Sequence, residues 1–394
     1  MHIVQLLPEL NQGGVERGTV ELSRELVKRG HRSTVISAGG SQAAQIEQDG
    51  GKHITLDVCS KNPLTFPFRV LALRRILQNL MRESNVESQK SNAERVQPKI
   101  VNRQSPIANS LILHARSRVP AWLCCFANRK LDIPFVTTVH GFNSVSRYSA
   151  IMARGDAVIC VSNPVKEYIR KNYGTPDEKI TVIHRGIDPA EFDPAKLDQI
   201  WINAFKTKYD LDGKFIITTV GRITELKDYE TFIRAVADCS REMPDICGLI
   251  VGGVRHDKQA YYERLQALVK QLGAEKRIVF AGSHDRMPEI YALSDVLVSS
   301  SKKPEAFGRS LIEAMAMNTP VIATRHGGAL DIIEEGSNGF LFAPGDATGL
   351  AQVLRKQREI QHIELRERIL SRFTLDGMVK KTIAVYSNLL ISGK

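Results

Sequence analysis

No stretch of this 394-residue sequence approaches the ~20 consecutive apolar residues that a membrane-spanning helix needs, which excludes an integral helical membrane protein. The opening MHIVQLLPEL has no basic leader and no small-residue cleavage site, so no signal peptide is expected. Its alternation into NQGG reads instead as a first buried strand. The six cysteines, at positions 59, 124, 125, 160, 239 and 247, include no C-x-x-C pair and no metal-ligand spacing. That leaves structural thiols in a reducing cytoplasm. The first strand is not followed by G-x-G-x-x-G, which weakens a dinucleotide reading. Nothing matches a sequence-reading nucleic-acid motif, so no nucleic-acid partner is expected.

The first half is also short of acid. Residues 1–188 hold 26 Lys+Arg against 16 Asp+Glu, whereas residues 189–394 hold 28 against 27. Such an asymmetry points to an anionic partner for the basic half, a membrane lipid, nucleic acid or a phosphorylated substrate. A merely solvated basic surface is the other reading.

What is present is a nearly unbroken alternation of strand-like and amphipathic helical runs, the pattern of an α/β architecture with parallel sheets. A chain of this length exceeds one compact core, so two domains are expected. In the first half the strands read HIVQLL, RSTVIS, LILH, FVTTVHG, AVICVS and ITVIH. A helix over Val15 to Arg29 follows the first of them, with Val20, Leu22, Leu26 and Val27 as its apolar stripe. In the second half they read KFIITTVG, CGLIVGG, RIVFAG, VLVSSS, PVIAT and GFLFAP. The periodicity breaks at HRGIDPAEFDPAK, giving domains over 1–188 and 189–372 and a last helix over 373–394 that packs back on the first domain. Two doubly wound domains with a cleft between them are expected, with ligands beyond the carboxyl ends of the strands. Residues 82–109 are too polar and too sparse in apolar residues for a packed helix, and read as a mobile surface insertion.

The stretch KKPEAFGRSLIEAMAMNTPVIATRHGG, Lys302 to Gly328, sets Glu305 before a helix and Glu313 within it. A helix starting near Gly308 offers backbone N–H groups and a positive dipole end to phosphate. Its rise between the glutamates, at most ~12 Å, suits a sugar at one end and a ribose at the other. Ordinary helix-flanking acids are the competing explanation. Upstream, VGRITELKDYETFIRAV places Arg222 and Lys227 in a loop after a strand. Arg grips a diphosphate bidentately and Lys holds it as a point charge.

GRITELKDYETFIRA, PEAFGRSLIEAMAMNTPVIAT and GGALDIIEEGSNGFLFAPGD together resemble family 4 of the retaining glycosyltransferases, which have the two-Rossmann-domain fold called GT-B. The resemblance covers nearly the whole chain and is strongest from Val220 to Asp346. It implies a nucleotide-sugar donor (UDP-, GDP- or ADP-linked) on the second domain and an acceptor on the first. Arg222 and Lys227 would hold the donor diphosphate, Glu305 the transferred sugar and Glu313 the ribose. The backbone of Phe307, Gly308, Arg309, Ser310 and Leu311 would complete the phosphate cradle. In ELNQGGVERG, Gly13 and Gly14 match the family's glycine-rich loop, and His140 in TTVHG falls where the family places a histidine near the reacting sugar. In LHARSR, His114, Arg116 and Arg118 are similar to strings in relatives that extend lipopolysaccharide. They would meet an acidic acceptor, or serve as surface charge. The family's NGID string reads HRGID here, with Arg185, which leaves a ligand contact there open.

The resemblance implies transfer with retention and no required cofactor. Asp210-x-Asp212 in YDLDGK has the pattern of a metal-dependent fold, yet lies in a polar turn, so no metal is expected. A glycolipid or glycan acceptor of the bacterial envelope, such as lipopolysaccharide core, follows from the resemblance and the charge. A non-hydrolysing nucleotide-sugar epimerase of the same fold, or a silent basic scaffold, is the alternative. A monomer or weak oligomer, cytoplasmic and peripheral on the inner membrane, completes the expectation. In LTFPFRVLALRRILQNLMR, Val70, Leu73, Leu77 and Leu80 share one helical face beside Arg69, Arg74, Arg75 and Arg82. That face would lie on an anionic bilayer or pack on its own sheet.

Overall fold

Thirteen short strands, each running parallel to its neighbours, build two sheets in this computed structural model, which describes residues 1–11, 13–93, 111–358 and 364–392. Internal contacts divide the chain into unit 1, Met1–His184 with Asp376–Lys394, and unit 2, Arg185–Leu375.

Unit 1 carries β1 (His2–Leu6), β2 (Arg32–Ser37), β3 (Lys52–Thr55), β4 (Leu111–Ala115), β5 (Phe135–Val139), β6 (Ala157–Cys160) and β7 (Ile180–Val182), in the order β3-β2-β1-β4-β5-β6-β7. Val4 of β1 stands opposite Thr34 of β2 and Leu113 of β4. The central strands are buried on both faces, which is why they read as apolar runs. The crossovers carry α1 (Gly14–Lys28), α2 (Ala43–Gln48), α3 (Phe66–Ala93), α4 (Arg118–Asn128) and α5 (Asn163–Tyr173). Strand β3 was not expected. Its sequence, KHIT, is half-exposed at the sheet edge and shows no apolar run.

Helix α3 decides between two readings of its stripe and corrects one expectation. Val70, Leu73, Leu77 and Leu80 are buried, so this stripe packs inside the unit and is not a bilayer-facing surface. Arg69 is buried with it and donates to the carbonyls of Ser60 (2.8 Å) and Asn62 (3.1 Å), while Arg74 donates to those of Phe126 and Ala127. Secondly, the helix runs on to Ala93, through the first part of the expected insertion. Ser84, one turn beyond Leu80, continues the buried stripe and meets the His2 ring at 3.4 Å. Residues 94–109, the rest of that insertion, lie outside the described residues.

Unit 2 opens with α6 (Gln199–Lys208) and continues with β8 (Phe215–Val220), α7 (Tyr229–Cys239), β9 (Ile246–Val251), α8 (Gln259–Gln271), β10 (Ile278–Gly282), α9 (Met287–Ala292), β11 (Val296–Ser299), α10 (Arg309–Ala316), β12 (Val321–Thr324), α11 (Ala329–Ile332), β13 (Gly339–Phe342), α12 (Ala347–Arg358) and α13 (Leu365–Leu370). Its strand order is β10-β9-β8-β11-β12-β13. All six strands coincide with the apolar runs of the sequence. The largest core cluster of unit 2 holds Tyr229 and Phe232 of α7, Leu265 of α8 and Leu350 of α12 against the sheet. The last helix, α14 (Leu375–Ile391), belongs to unit 1, where Tyr386 is wholly buried against His114 of β4.

Both sheets reverse their strand order once, between β1 and β4 and between β8 and β11. At such a point the two flanking loops leave in opposite directions and open a crevice beyond the strand ends.

Candidate active site

In unit 2 the crevice at β8 and β11 gathers most of the expected donor residues. Arg222 stands two residues beyond β8, exposed, and makes no hydrogen bond or ion pair among the described residues. Lys227 ends a single 3₁₀ turn, Glu225–Lys227. Asp228 follows in the left-handed region (φ 51°) and caps α7 through Thr231. Ser300, just past β11, donates to the carbonyls of Lys227 (2.9 Å) and Asp228 (3.0 Å), and Lys302 reaches Asp228 at 3.1 Å. The two loops are therefore fixed to one another.

That clamp brings Lys227 to Glu305. The Lys227 ammonium donates to Glu305 Oε1 at 2.5 Å, and Ser301 donates to the same oxygen at 2.5 Å. Burial alone would raise the Glu305 carboxyl. The charge and hydrogen bond of Lys227, the Ser301 hydroxyl and the nearby His326 outweigh it and hold the group below the usual glutamate range. The loop after β12 lies against Glu305 as well. Gly328 N–H donates to its carbonyl at 2.9 Å. Gly327, at φ 62°, lies so close that a Cβ would overlap the Glu305 backbone.

Helix α10 starts where the sequence placed it. Gly308 is its N-cap at φ 98°, with no side chain capping the first turn, and Leu311 N–H donates to the Gly308 carbonyl at 3.0 Å. Phe307 and Leu311 are buried on either side, Phe307 with its ring 5.6 Å from that of Phe373. Glu313, one turn into the helix, accepts from Arg309 Nε (2.8 Å) at one oxygen and from the Tyr291 hydroxyl (2.9 Å) at the other. The carboxylate is thus oriented. Ser310 sits half-buried beside Arg309 in the first turn.

Residues 202–372 match the family model described as Glycosyl transferases group 1, and residues 12–191 that described as Glycosyltransferase Family 4. A crystal structure of a glycosyltransferase from Rickettsia africae ESF-5 superposes with a TM-score of 0.84 at 30% identity, over 99% of this chain and 98% of that one. The chain belongs to the group 1, family 4 glycosyltransferases. Its fold is the GT-B fold of that family. Anabaena HepE in complex with UDP-glucose superposes with a TM-score of 0.79 at 20% identity, over 99% of this chain and all of the other. The N-acetyl-alpha-D-glucosaminyl L-malate synthase of Bacillus anthracis is 28% identical over 308 residues, 72% of this chain and 76% of that protein.

In this glycosyltransferase the expected residues of unit 1 divide into two groups. Gly13 caps α1 in extended backbone, with the Glu16 carboxylate folded over it, and Gly14 has open space where a side chain would stand. His140 directly follows β5 and is half-buried. Arg118 opens α4, donates to the Ser149 hydroxyl at 3.2 Å and lies over the Tyr148 ring. These face loops at strand ends. His114 and Arg116 do not. His114 is buried on β4, with Nδ1 2.7 Å from the Tyr386 hydroxyl and Nε2 2.7 Å from the Thr138 hydroxyl. Both nitrogens are committed to packing, which corrects the expected acceptor contact. Arg116 is buried too, so it is not surface charge. Burial pushes its guanidinium down to about 10, and one of its nitrogens donates to Gln5 at 3.0 Å.

Asp210 and Asp212 lie in the exposed turn before β8, with Asp210 ion-paired to Lys214 at 2.5 Å. Sequence reasoning missed Ser301, Tyr291 and His326. Both ring nitrogens of His326 are shielded from solvent and find no hydrogen-bond partner among the described residues. Its one signal was position: it stands two residues past β12, against the glycines that touch Glu305.

Proposed function

We propose that this glycosyltransferase moves a sugar from a nucleotide diphosphate to a hydroxyl of an envelope glycolipid or glycan, with retention at the anomeric carbon. The observation that carries the donor half is the Lys227–Glu305 pair clamped between the loops after β8 and β11, beside the start of α10. A diphosphate seated there meets Arg222, Lys227 and the N–H groups of α10, with the sugar at Glu305 and His326 and the ribose at Glu313. The anomeric C–O bond to phosphate breaks as the acceptor oxygen forms its bond on the same face. The acceptor proton passes to the departing phosphate oxygen. Charge grows on that oxygen in the transition state, and the two cations are already in place for it. Glu305 keeps Lys227 aimed, so little reorganisation is left to the reaction.

UDP-sugars are the first donors to try, because the HepE structure named above is a complex with UDP-glucose. The acceptor reading rests on the basic first half and extends to a place on the cytoplasmic face of the inner membrane, as a monomer or weak oligomer. The test is a melting panel of UDP, GDP and ADP with their sugar conjugates, run with and without chelator. Stabilisation by one nucleotide, kept in chelator and lost in Glu313→Ala, is the expected result. Turnover of the donor to an epimer without acceptor would replace transfer with epimerisation.

A further inference from the structure

Opposite its buried stripe, α3 presents a second apolar face that is uncovered. Leu64, in the turn that leads into the helix, is 80% exposed, Phe68 is 73% exposed and Leu71 is 50% exposed. Exposed Arg75 and Arg82 continue the same face. The turn is held rigidly. Arg69 grips the carbonyls of Ser60 and Asn62, and the Asn62 side chain accepts from Leu64 N–H at 2.9 Å. Beside this ridge runs a groove of about 610 Å³, lined by Pro63, Phe66, Pro67, Trp122, Phe126 and Tyr148 among others, with Lys61 and Arg118 at its edge. Arg129 lies over Phe126. A contiguous exposed apolar surface of this kind marks an interaction site.

Charge says which kind. Residues 57–83 and 111–156, which build the ridge and groove, hold eleven Lys and Arg against four acids, Asp57, Glu83, Asp132 and Asp156. Of those cations Lys61, Arg75, Arg82, Arg129, Lys130, Arg147 and Arg154 are exposed. We propose that this face docks unit 1 on an anionic lipid bilayer, with Leu64, Phe68 and Leu71 entering the acyl boundary and the cations meeting headgroup phosphates. Apolar side chains proud of a rigid turn, amid exposed cations that outnumber the acids, fit an interface of that polarity. The proposal deepens the glycolipid reading above, since it places the enzyme on the surface where such an acceptor resides.

The test is vesicle flotation with phosphatidylcholine alone and with phosphatidylcholine and phosphatidylglycerol in equal parts. The wild-type chain should float with the anionic vesicles and be released by salt. Leu64→Ser/Phe68→Ser/Leu71→Ser should weaken binding roughly tenfold or more, and Lys61→Glu/Arg75→Glu roughly tenfold. Nucleotide stabilisation should be unchanged in both. A second measurement uses Trp122, one of only two tryptophans. In a Trp201→Phe background, brominated lipid should quench its emission. No flotation, equal flotation with neutral vesicles, or a triple variant that floats like wild type would each overturn the proposal. So would a wild-type dimer that the triple variant dissolves, since the face would then be a self-association surface. Loss of turnover on detergent-dispersed acceptor with flotation intact would make the groove an acceptor pocket instead. Transfer to a soluble acceptor by a chain that still floats would end the glycolipid reading and leave the docking face standing.

Discussion

The two sheets share one winding order, yet the chain puts different chemistry at their reversal points. Between β8 and β11 the polar groups are charged and only partly shielded. Among the described residues Arg222 makes no hydrogen bond or ion pair, and Lys227 pairs with Glu305. Between β1 and β4 the polar groups are buried, with His114 between Thr138 and Tyr386 and with Arg116 meeting Gln5 through one nitrogen while its Nε and other Nη find no hydrogen-bond partner among the described residues. Topology offers a crevice in both places. What differs is how far the charged groups stand from solvent, near the surface in unit 2 and closed into the core in unit 1. The first arrangement awaits a charged ligand, and the second fixes a scaffold.

Removing the cations of unit 2 should break that contrast most severely. Arg222→Ala and Lys227→Ala should each lower kcat by about 10²–10³-fold, with a smaller change in donor KM. Unchanged turnover in either would take that residue out of the reaction. Glu313→Ala should weaken nucleotide binding by roughly 2 kcal/mol, the scale of a charge-assisted hydrogen bond, measured by titration calorimetry. Full retention of affinity would move the ribose elsewhere.

Unit 1 should show its character through stability. Burial, with Arg32, Lys52 and the N-terminus nearby, pushes the His2 imidazole down to about 4 from an ordinary 6.5. The unfolded chain therefore takes up the proton first. Unit 1 should lose stability as pH falls from 6.5 towards 4, by on the order of 2 kcal/mol. Urea unfolding followed by Trp122 fluorescence would read this, and His2→Gln should flatten the slope. An unaltered slope in that variant would assign the effect to other groups. Tyr386→Phe removes the hydroxyl from His114 and should cost about 1 kcal/mol by the same assay, without changing donor binding. Smallest of all, Asp210→Ala should leave activity within about twofold, as expected for an exposed surface pair. A large loss would reopen the metal reading.

The contrast also explains what the sequence revealed. Unit 2's strands were legible because each is a short apolar run between glycines or polar loops, and Gly308 announced the start of α10. The partnership of Lys227 with Glu305 was not legible, since 78 residues separate them and only the strand order brings their loops together. His114 and Arg116 misled because a polar residue after an apolar run looks like a ligand contact whether it points to solvent or into the core. Helix α3 misled for the converse reason. Its apolar stripe was found, but the pattern could not say which of two faces the sheet would cover.

The return of α14 to unit 1 has a consequence for how the protein is made. His114 and Tyr386 are 272 residues apart. At ribosomal speeds of about 5–20 residues per second, roughly a quarter of a minute to a minute passes between their syntheses. During that interval the first unit has left the ribosome with β4 lacking its cover, while the second is still emerging. Early termination anywhere before Asp376 would thus damage the domain translated first, and a nascent chain would need protection at its oldest end until its last helix arrives.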